Sequence, residues 1–351
     1  MRRRGPVRWI QVLLLLLAIV GLVLGYVLKS TVGLPVAQVS GVDTELVAVS
    51  CAGLGHCHAV AAGGQVIGQV GGTWATEDSG TTRDLHDISC PDASHCWAVG
   101  DSGTVIKYEG GSWAPQSSGT TLSLVGVDCP SATSCRAVGR RGLVESFDGR
   151  TWQLQATRTL RDLETVACGD VDRCVAGGRG GVVMVSIGGG WVLASSGTSE
   201  DLRGSACSDA SHCWIVGDGG TIRFFDGGAR LDPEPAQTSQ MLSTASCTDA
   251  SHCWAAGDSG SILFYDGSKW TPVDSGVSTR LVGVKAVDPD HAVLVGDRGL
   301  VLEATTPPWL LLLLGPDGAY RLLVAALVLA VLAALLTVGA ASAAAIAGSS
   351  A

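Results

Sequence analysis

One phrase occurs three times in this chain with little change, and it limits the fold more than any other feature. The sequence CPDASHCWAVGDSG begins at Cys90, and close copies begin at Cys207 and Cys247. Each copy carries two cysteines separated by five residues. A fixed internal period identifies repeat architectures, so its extent along the chain is the first thing to establish.

The cysteines extend this repeat over most of the chain. Their period is 39 residues with one step of 40, and the pairs are Cys51 and Cys57, Cys90 and Cys96, Cys129 and Cys135, Cys168 and Cys174, Cys207 and Cys213, and Cys247 and Cys253. One further period leads to Ala286 and Ala292, so a seventh unit lacks both cysteines together. Joint loss is what a bonded pair predicts, because one orphan thiol is a liability in an oxidising compartment. We therefore expect six disulfides, each within one unit.

Each unit has the pattern of four short strands. In the second unit these are LHDISC, CWAVGD, TVIKYE and SWAPQS, separated by segments rich in Gly, Ser, Asp and Pro. Four-stranded units of about forty residues are typical of propeller blades. The sequence therefore predicts an all-β fold, a seven-bladed β-propeller, in which each cysteine pair spans the turn between the two innermost strands.

Two further features concern packing and ring closure. A tryptophan stands 23 residues after most first cysteines, and we expect these rings to pack between blades: Trp74, Trp113, Trp152, Trp191 and Trp270, with Arg230 as the exception. The segment LPVAQV, before the first unit, is expected to supply the outer strand of blade 7. WLLLLL, from Trp309, is the rival, but Pro307 and Pro308 before it favour the N-terminal segment.

Apolar runs lie at both ends of the chain. Residues 10–28 contain no charge and follow four arginines within residues 1–9, which predicts a transmembrane helix behind a basic cytoplasmic N-terminus. Residues 322–346 predict a returning span, with a juxtamembrane linker at 308–321 and a short tail at 347–351. Residues 29–307 are then the extracytoplasmic propeller, held at the cell membrane.

Charge and cysteine spacing exclude several kinds of partner and cofactor. Residues 30–307 contain 17 basic and 31 acidic residues, a net charge of −14, which argues against nucleic acid. Five intervening residues are too many for the usual zinc spacing, so we expect no metal and no cofactor. Histidines before the second cysteine position are interpreted as turn residues because they repeat around a ring: His56, His95, His212, His252 and His291.

The repeat resembles a known family. VGDSGTVIKYEGGSW and AGDSGSILFYDGSKW are similar to the signature of photosystem II assembly and stability factor propellers and to sialidase-type Asp-box repeats, over roughly residues 34 to 307. FDGRTW, from Phe147 to Trp152, looks like an Asp-box shortened by one residue. The resemblance implies a propeller that binds a membrane complex. With Ala, Gly and Arg abundant beside four lysines, the chain looks like a bacterial, membrane-anchored variant.

Catalysis is not expected. A sialidase-like glycoside hydrolase would need a tyrosine with a glutamate partner, an acid and clustered arginines at the ring centre. The two tyrosines of residues 29–307, Tyr108 and Tyr265, occupy equivalent positions in two blades, which favours a structural role.

One departure from the repeat suggests a binding site. Eleven residues after the first cysteine position, blades 3 and 4 carry Arg140 and Arg179, whereas most blades carry aspartate. Residues 136–179 hold eight basic and six acidic residues, a basic sector on an acidic ring. Five arginines are expected in loops on one face: Arg140, Arg141, Arg158, Arg161 and Arg179. An ordinary solvated surface is the alternative interpretation.

These observations favour a non-catalytic scaffold. Guanidinium groups suit acidic segments, so the expected partner is an envelope or membrane protein, with an anionic glycan as a further candidate. A glycan-binding or sensory module is the second interpretation, and a sialidase-like hydrolase is the third. Propellers serve many functions, so the fold alone does not choose among these interpretations.

Overall fold

The alternating apolar pattern of each repeat folds into one four-stranded antiparallel sheet. The computed structural model describes residues 35–228 and 230–306, which form seven such sheets. The predicted all-β, seven-bladed β-propeller is confirmed. The expected spans at 10–28 and 322–346 lie outside the described residues, and no helix within the described part is long and apolar enough to cross a membrane.

The strands are numbered β1 to β28 in chain order, and β1 is Val36–Gln38. Strands β2 to β13 form blades 1 to 3 and are Leu46–Cys51, Cys57–Ala61, Val66–Val70, Thr73–Glu77, Leu85–Asp92, His95–Gly100, Thr104–Glu109, Ser112–Ser117, Leu124–Ser131, Ser134–Gly139, Val144–Phe147 and Trp152–Leu154. Strands β14 to β25 form blades 4 to 6 and are Leu163–Cys168, Cys174–Gly178, Val183–Ile187, Gly190–Ala194, Leu202–Asp209, His212–Gly217, Thr221–Phe225, Asp232–Glu234, Leu242–Asp249, His252–Gly257, Ile262–Tyr265 and Trp270–Val273. Blade 7 contains β26, β27 and β28, which are Leu281–Asp288, His291–Gly296 and Leu300–Thr305.

A single 3-10 turn joins the second and third strands of every blade. In blade order these turns are Ala62–Gly64, Asp101–Gly103, Arg140–Gly142, Arg179–Gly181, Asp218–Gly220, Asp258–Gly260 and Asp297–Gly299.

The N-terminal strand closes the ring. Blade 7 has the strand order β26, β27, β28, β1, and β1 is antiparallel to β28 with Val36 opposite Glu303 and Gln38 opposite Val301. The preference for LPVAQV as the closing strand is therefore confirmed. Gln38 also links this strand to blade 1, because its Oε1 atom accepts a hydrogen bond from the Trp74 indole at 2.7 Å.

All six expected disulfides are present. Each joins the end of an innermost strand to the start of the next strand, with Cα atoms 3.9 to 4.1 Å apart. In blade 7, Ala286 and Ala292 lie directly opposite each other on neighbouring strands, just as the two cysteines do in four of the other blades. The pairing of these strands is therefore set by the sheet, and the disulfide reinforces it.

The tryptophans pack between blades, as expected. Trp152, for example, lies beside Trp97 and Val99 of the preceding blade. In blade 5 the place of the tryptophan is taken by Leu231, one residue after the exception noted in the sequence, Arg230. Its side chain is 72% exposed, and Leu231 is 1% exposed in the core between blades 4 and 5. The cause is the one 40-residue step of the repeat, which falls in blade 5. Each tryptophan stands 16 residues before the first cysteine position of the next blade, and in blade 5 the residue at this distance is Leu231.

Polar side chains join the innermost strands around the channel. In four blades the side chain just before the first cysteine position accepts the backbone N–H of that position in the next blade, and these side chains are Ser50, Ser89, Asp128 and Ser246. Ser50 Oγ accepts from Cys90 at 2.9 Å, and Ser89 Oγ accepts from Cys129 at 3.0 Å. These bonds satisfy inner-edge N–H groups that no strand pairs with, so they hold neighbouring blades together.

The glycines of the GDSG phrase are required by close backbone contacts. A Cβ atom on Gly103, where φ is +72°, would lie 2.0 Å from the carbonyl oxygen of Thr120 in the loop to the next blade. We expect Gly103→Ala to lower the free energy of unfolding by about 2 kcal/mol, measured by denaturant unfolding. Gly63→Ala is the matched control, because φ there is +69° but no atom lies within 4 Å of the new Cβ, and it should cost about 1 kcal/mol. Equal losses would contradict the steric explanation.

Candidate binding site

The five arginines singled out in the sequence lie in two kinds of connection. Three belong to the 3-10 turns of blades 3 and 4, and two lie in the loop that joins β13 to β14: Arg140, Arg141 and Arg179, and Arg158 and Arg161. Arg161 Nη1 donates to the carbonyl oxygen of Gly180 at 2.9 Å, so the loop lies against the turn of blade 4. We call this region the arginine sector.

Two of these arginines already have carboxylate partners. Arg140 Nη1 lies 3.0 Å from Asp162 Oδ2, and Arg179 Nε lies 2.8 Å from Glu164 Oε1 and 3.8 Å from Asp162 Oδ2. The backbone N–H of Arg141, together with Arg140, holds the pKa of Asp162 below its usual value. Ion pairs this exposed contribute little to stability, yet they reduce the positive charge that a ligand would meet.

The positive charge that no carboxylate cancels belongs to three arginines, of which Arg161 is hydrogen-bonded to the Gly180 carbonyl oxygen, and the other two are Arg141 and Arg158. Both side chains are exposed, and neither makes an ion pair with any residue in 35–228 or 230–306. Leu160, in the same loop, is 81% exposed. The arginine sector therefore presents the guanidinium groups of Arg141 and Arg158 and, in the loop of Arg158, an exposed leucine.

The repeat shows how unusual this loop is. Arg158 occupies a register position that is glycine in five blades, Gly41, Gly80, Gly119, Gly197 and Gly276. Leu160 stands where the other blades carry aspartate, serine or threonine. Arg141 is equivalent to Ser102 and Ser259, and to Arg298 in blade 7. Comparison of these loop positions across blades could have separated Arg141 and Arg158 from the paired arginines.

Sequence reasoning missed a charge exchange between neighbouring blades. In blade 4, Glu164 on the inner strand pairs with Arg179 in the turn, whereas in blade 5 the equivalent positions are Arg203 and Asp218. Arg203 Nη2 donates to Asp218 Oδ2 at 3.0 Å. The positive charge that Arg179 brings to the turn is therefore neutralised by Glu164 of the same blade. The residue four places before the first cysteine, Glu164 in blade 4 and Arg203 in blade 5, carried this information in the sequence.

The central channel is lined by two half-buried carboxylates, those of Asp87 and Asp128. Burial raises the pKa of Asp87 to about 7, although its carboxylate accepts the backbone N–H groups of Val127 and Ile88. Burial also raises the pKa of Asp128, which accepts the N–H of Cys168 at 2.7 Å. Because both carboxylates bind strand backbone, they hold blades together in the way that Ser50 does.

Four of the five turn histidines have a hydrogen-bond partner within their own turn. Nδ1 of each of four histidines lies 2.8 to 3.0 Å from the carboxylate of the aspartate three residues earlier: His95, His212, His252 and His291. One potential metal-binding group in the described part of the chain combines His58 with Cys90 and Cys96. Those two cysteines form a disulfide, so they offer no thiolate to an ion.

The tyrosines lie away from the channel. Tyr108 packs on Trp113 with ring centroids 5.3 Å apart, and Tyr265 packs on Trp270 at the same distance. Neither is among the residues that line the channel in the described part of the chain. Their equivalent packing agrees with the structural role inferred from the repeat, and it does not support a sialidase-like centre.

Comparison with known proteins supports the fold. No family model and no curated protein matches this chain. Among solved structures, "YCF48 bound to D1 peptide" is 17% identical over 78% of this chain and 95% of its own length, with a TM-score of 0.63. YCF48 from Cyanidioschyzon merolae is 18% identical over 77% of this chain and 98% of its own, also at 0.63. The WD40 propeller domain of Doa1 is 11% identical over 78% and 98%, at 0.66. The expected likeness to photosystem II assembly factor propellers is thus confirmed at the level of the fold.

Proposed function

We propose that this protein is a membrane-anchored, extracytoplasmic propeller that acts as a non-catalytic scaffold and binds a protein. The observation that carries the proposal is the departure of one loop from the repeat. This loop carries Arg158 and the exposed Leu160, and it is hydrogen-bonded to the turn of Arg141, where Thr157 Oγ1 donates to the carbonyl oxygen of Gly142 at 2.8 Å. A solvated turn has no need of an arginine where five blades have glycine. A structural neighbour bound to a D1 peptide adds support, because it is a propeller of similar size that binds a protein segment.

The expected partner segment is acidic and carries an apolar side chain. Arginine binds carboxylates through two parallel hydrogen bonds, and Arg141 and Arg158 are free to do so. The exposed leucine in the loop of Arg158 adds apolar contact area. A partner anchored in the same membrane would meet this loop repeatedly, so moderate affinity would be sufficient.

The proposed location is supported by the apolar runs near the two ends of the chain. Apolar runs at 10–28 and 322–346, with arginines before the first, are typical of spans whose intervening segment is exported. Six disulfides in the propeller fit an oxidising compartment and would be unusual in a reducing cytosol. Both features support a propeller outside the cytoplasm.

The test uses variants that return the loop to the repeat. A photoreactive amino acid at Leu160 in the full-length chain should capture a protein in intact cells. Adding Arg141→Ser and Arg158→Gly should reduce capture at least tenfold, because serine and glycine stand at the equivalent positions of other blades and should leave the fold unchanged. Arg298→Ser, in the same turn of blade 7, is the matched control and should capture as the wild type does.

Two outcomes would contradict the proposal. Capture that is equal with and without the two arginines would show that the arginine sector is ordinary surface. Capture of glycan material alone would replace the protein partner with an anionic glycan.

A further inference from the structure

The outer strands of the propeller have free edges, and most of these edges are blocked. Proline occupies the same register position in β9, β21 and β25: Pro115, Pro233 and Pro272. β5 ends in the charged Glu77, and β1 and β13 have only three residues each. Prolines, charges and short length are the usual means by which proteins prevent an edge strand from pairing with another chain.

Strand β17, Gly190–Ala194 in blade 4, has none of these protections. It is five residues long and carries neither proline nor charge. Leu193 occupies the proline position and is 55% exposed, Val192 is 44% exposed, and Ile187 on the neighbouring strand is 48% exposed. The whole stretch 182–199 contains no charged residue, although the domain around it is acidic.

The backbone at position 193 is available for pairing. Proline has no N–H, so three blades keep their ladder intact without a donor at this position. The N–H of Leu193 is therefore not needed by β16 and can be directed to the open edge. Because alternate residues of a strand direct their N–H and C=O groups to the same side, Trp191 should present its backbone there as well.

The protein already uses the continuation of this edge for main-chain pairing. Ser195, just after β17, forms a parallel bridge with Arg230 of blade 5, and Leu231 N donates to Ser195 O at 3.0 Å. Arg230 stands at the end of the open edge with its side chain 72% exposed, and its Nε is 3.9 Å from Asp232, which is itself 69% exposed. A strand added along β17 would end at this guanidinium group.

We propose that the open edge of β17 binds an extended segment of a partner protein, which adds a fifth strand to blade 4. Its central residues are uncharged and mostly β-branched or apolar, so that they cover Val192 on one face and Leu193 on the other. An acidic residue at the end of the segment pairs with Arg230. This proposal rests on the protein-binding role given above, but it does not depend on the arginine sector.

The size of the strand sets the strength of binding. Five residues bury much less than the roughly 1,000 Å² expected of a stable interface between folded proteins. The interaction is therefore weak and reversible, and it is of the β-augmentation type, in which main-chain hydrogen bonds provide affinity and alternate side chains provide specificity. A stable dimer through this edge alone is not expected for the same reason.

The experiment uses defined peptides and the full-length chain in detergent. The probe is a fluorescent eight-residue peptide of alternating valine and threonine with one terminal glutamate, and the comparison peptide carries lysine instead. Fluorescence anisotropy should show binding of the glutamate peptide in the micromolar range and at least fivefold weaker binding of the lysine peptide. Hydrogen exchange at the Trp191 and Leu193 amides should slow when the glutamate peptide is present.

Leu193→Pro is the decisive variant, because three other blades already carry proline at this position and fold normally. It should weaken binding of the glutamate peptide at least tenfold with an unchanged melting temperature. Leu193→Thr, which copies Thr76 of blade 1, keeps the N–H and should lose less than threefold. Arg141→Ser with Arg158→Gly should bind the peptide normally, which separates this site from the arginine sector.

Three results would overturn the inference. The first is equal binding by the wild type and Leu193→Pro. The second is absence of peptide binding by the wild type. The third is a dimer of the wild type, detected by sedimentation, that Leu193→Pro abolishes, while the wild type binds no peptide. The segment bound at the edge would then belong to a second copy of this chain.

Discussion

Reduction of all six disulfides is expected to leave the propeller near its unfolding transition at 37 °C. Each bond joins cysteines six positions apart and contributes about 2 kcal/mol in the chain-entropy account. Six such contributions approach the total stability of about 5–15 kcal/mol that is usual for a folded domain. Denaturant unfolding followed by tryptophan fluorescence, with and without a reductant, measures the difference.

Blade 7 provides the control for this prediction. Ala286 and Ala292 keep the strand register without a disulfide, so Cys51→Ala with Cys57→Ala should preserve the fold of blade 1 and cost only about 2 kcal/mol. The same unfolding midpoint with and without reductant, once thiol titration has shown complete reduction, would contradict the prediction.

Replacing Glu145 with methionine should stabilise the protein above neutral pH. Glu145 lies on β12 with 1% of its surface exposed, and its Oε2 atom has no hydrogen-bond partner among the described residues. Burial raises the pKa of Glu145 to about 7 from an ordinary value of 4.5. The equivalent residues of blades 1, 2 and 4 are the buried apolar side chains Ile67, Ile106 and Met184.

The sign of the pH effect follows from proton binding. Between pH 4.5 and 7 the folded protein keeps a proton on Glu145 that the unfolded chain has lost, so the free energy of unfolding falls as the pH rises. Above pH 7 the full penalty applies, about 3 kcal/mol for a shift of this size. Glu145→Met should therefore gain about 3 kcal/mol at pH 8 and nothing from ionisation at pH 4.

Unfolding curves of the variant and the wild type between pH 4 and pH 8 test this prediction. Glu145→Gln should gain less, because its amide remains buried without a partner. Subtracting the variant from the wild type removes the contribution of Asp87, whose pKa is also raised to about 7 by burial. A difference that does not change with pH would show that Glu145 remains ionised in the folded protein or is not buried.

The repeat made the architecture predictable, because the evidence for it is periodic. The joint loss of cysteines at Ala286 and Ala292 pointed to bonded pairs, and the extra N-terminal strand followed from counting strands in register. Blade 5 looked like an exception to the tryptophan pattern, with Arg230 at the register position, because the register was counted from one direction only; counted from the next blade, the position is that of Leu231. Alignment of the blades in this register would also have shown that Glu145 occupies the position of the buried residues Ile67 and Ile106.

The candidate site was less predictable, because its electrostatics depend on contacts across loops. Arg140 pairs with Asp162, 22 residues away, and Arg179 pairs with Glu164, 15 residues away. Composition counted all these charges but could not show which ones cancel. The open edge of β17 was visible in the sequence as an uncharged strand with leucine at a position where three other blades have proline, yet its meaning depended on knowing that these are outer strands.

The closure of blade 7 has a mechanical consequence. Both ends of the described propeller leave from this blade, and Val36 of β1 lies opposite Glu303 of β28, close to where the chain departs. A force that separated the two ends would act on the first hydrogen bonds of the β1–β28 ladder and peel them one at a time, instead of shearing all of them together. The three-residue strand β1 therefore sets the tension at which the ring opens, and it lies in the one blade that has no disulfide among the seven described.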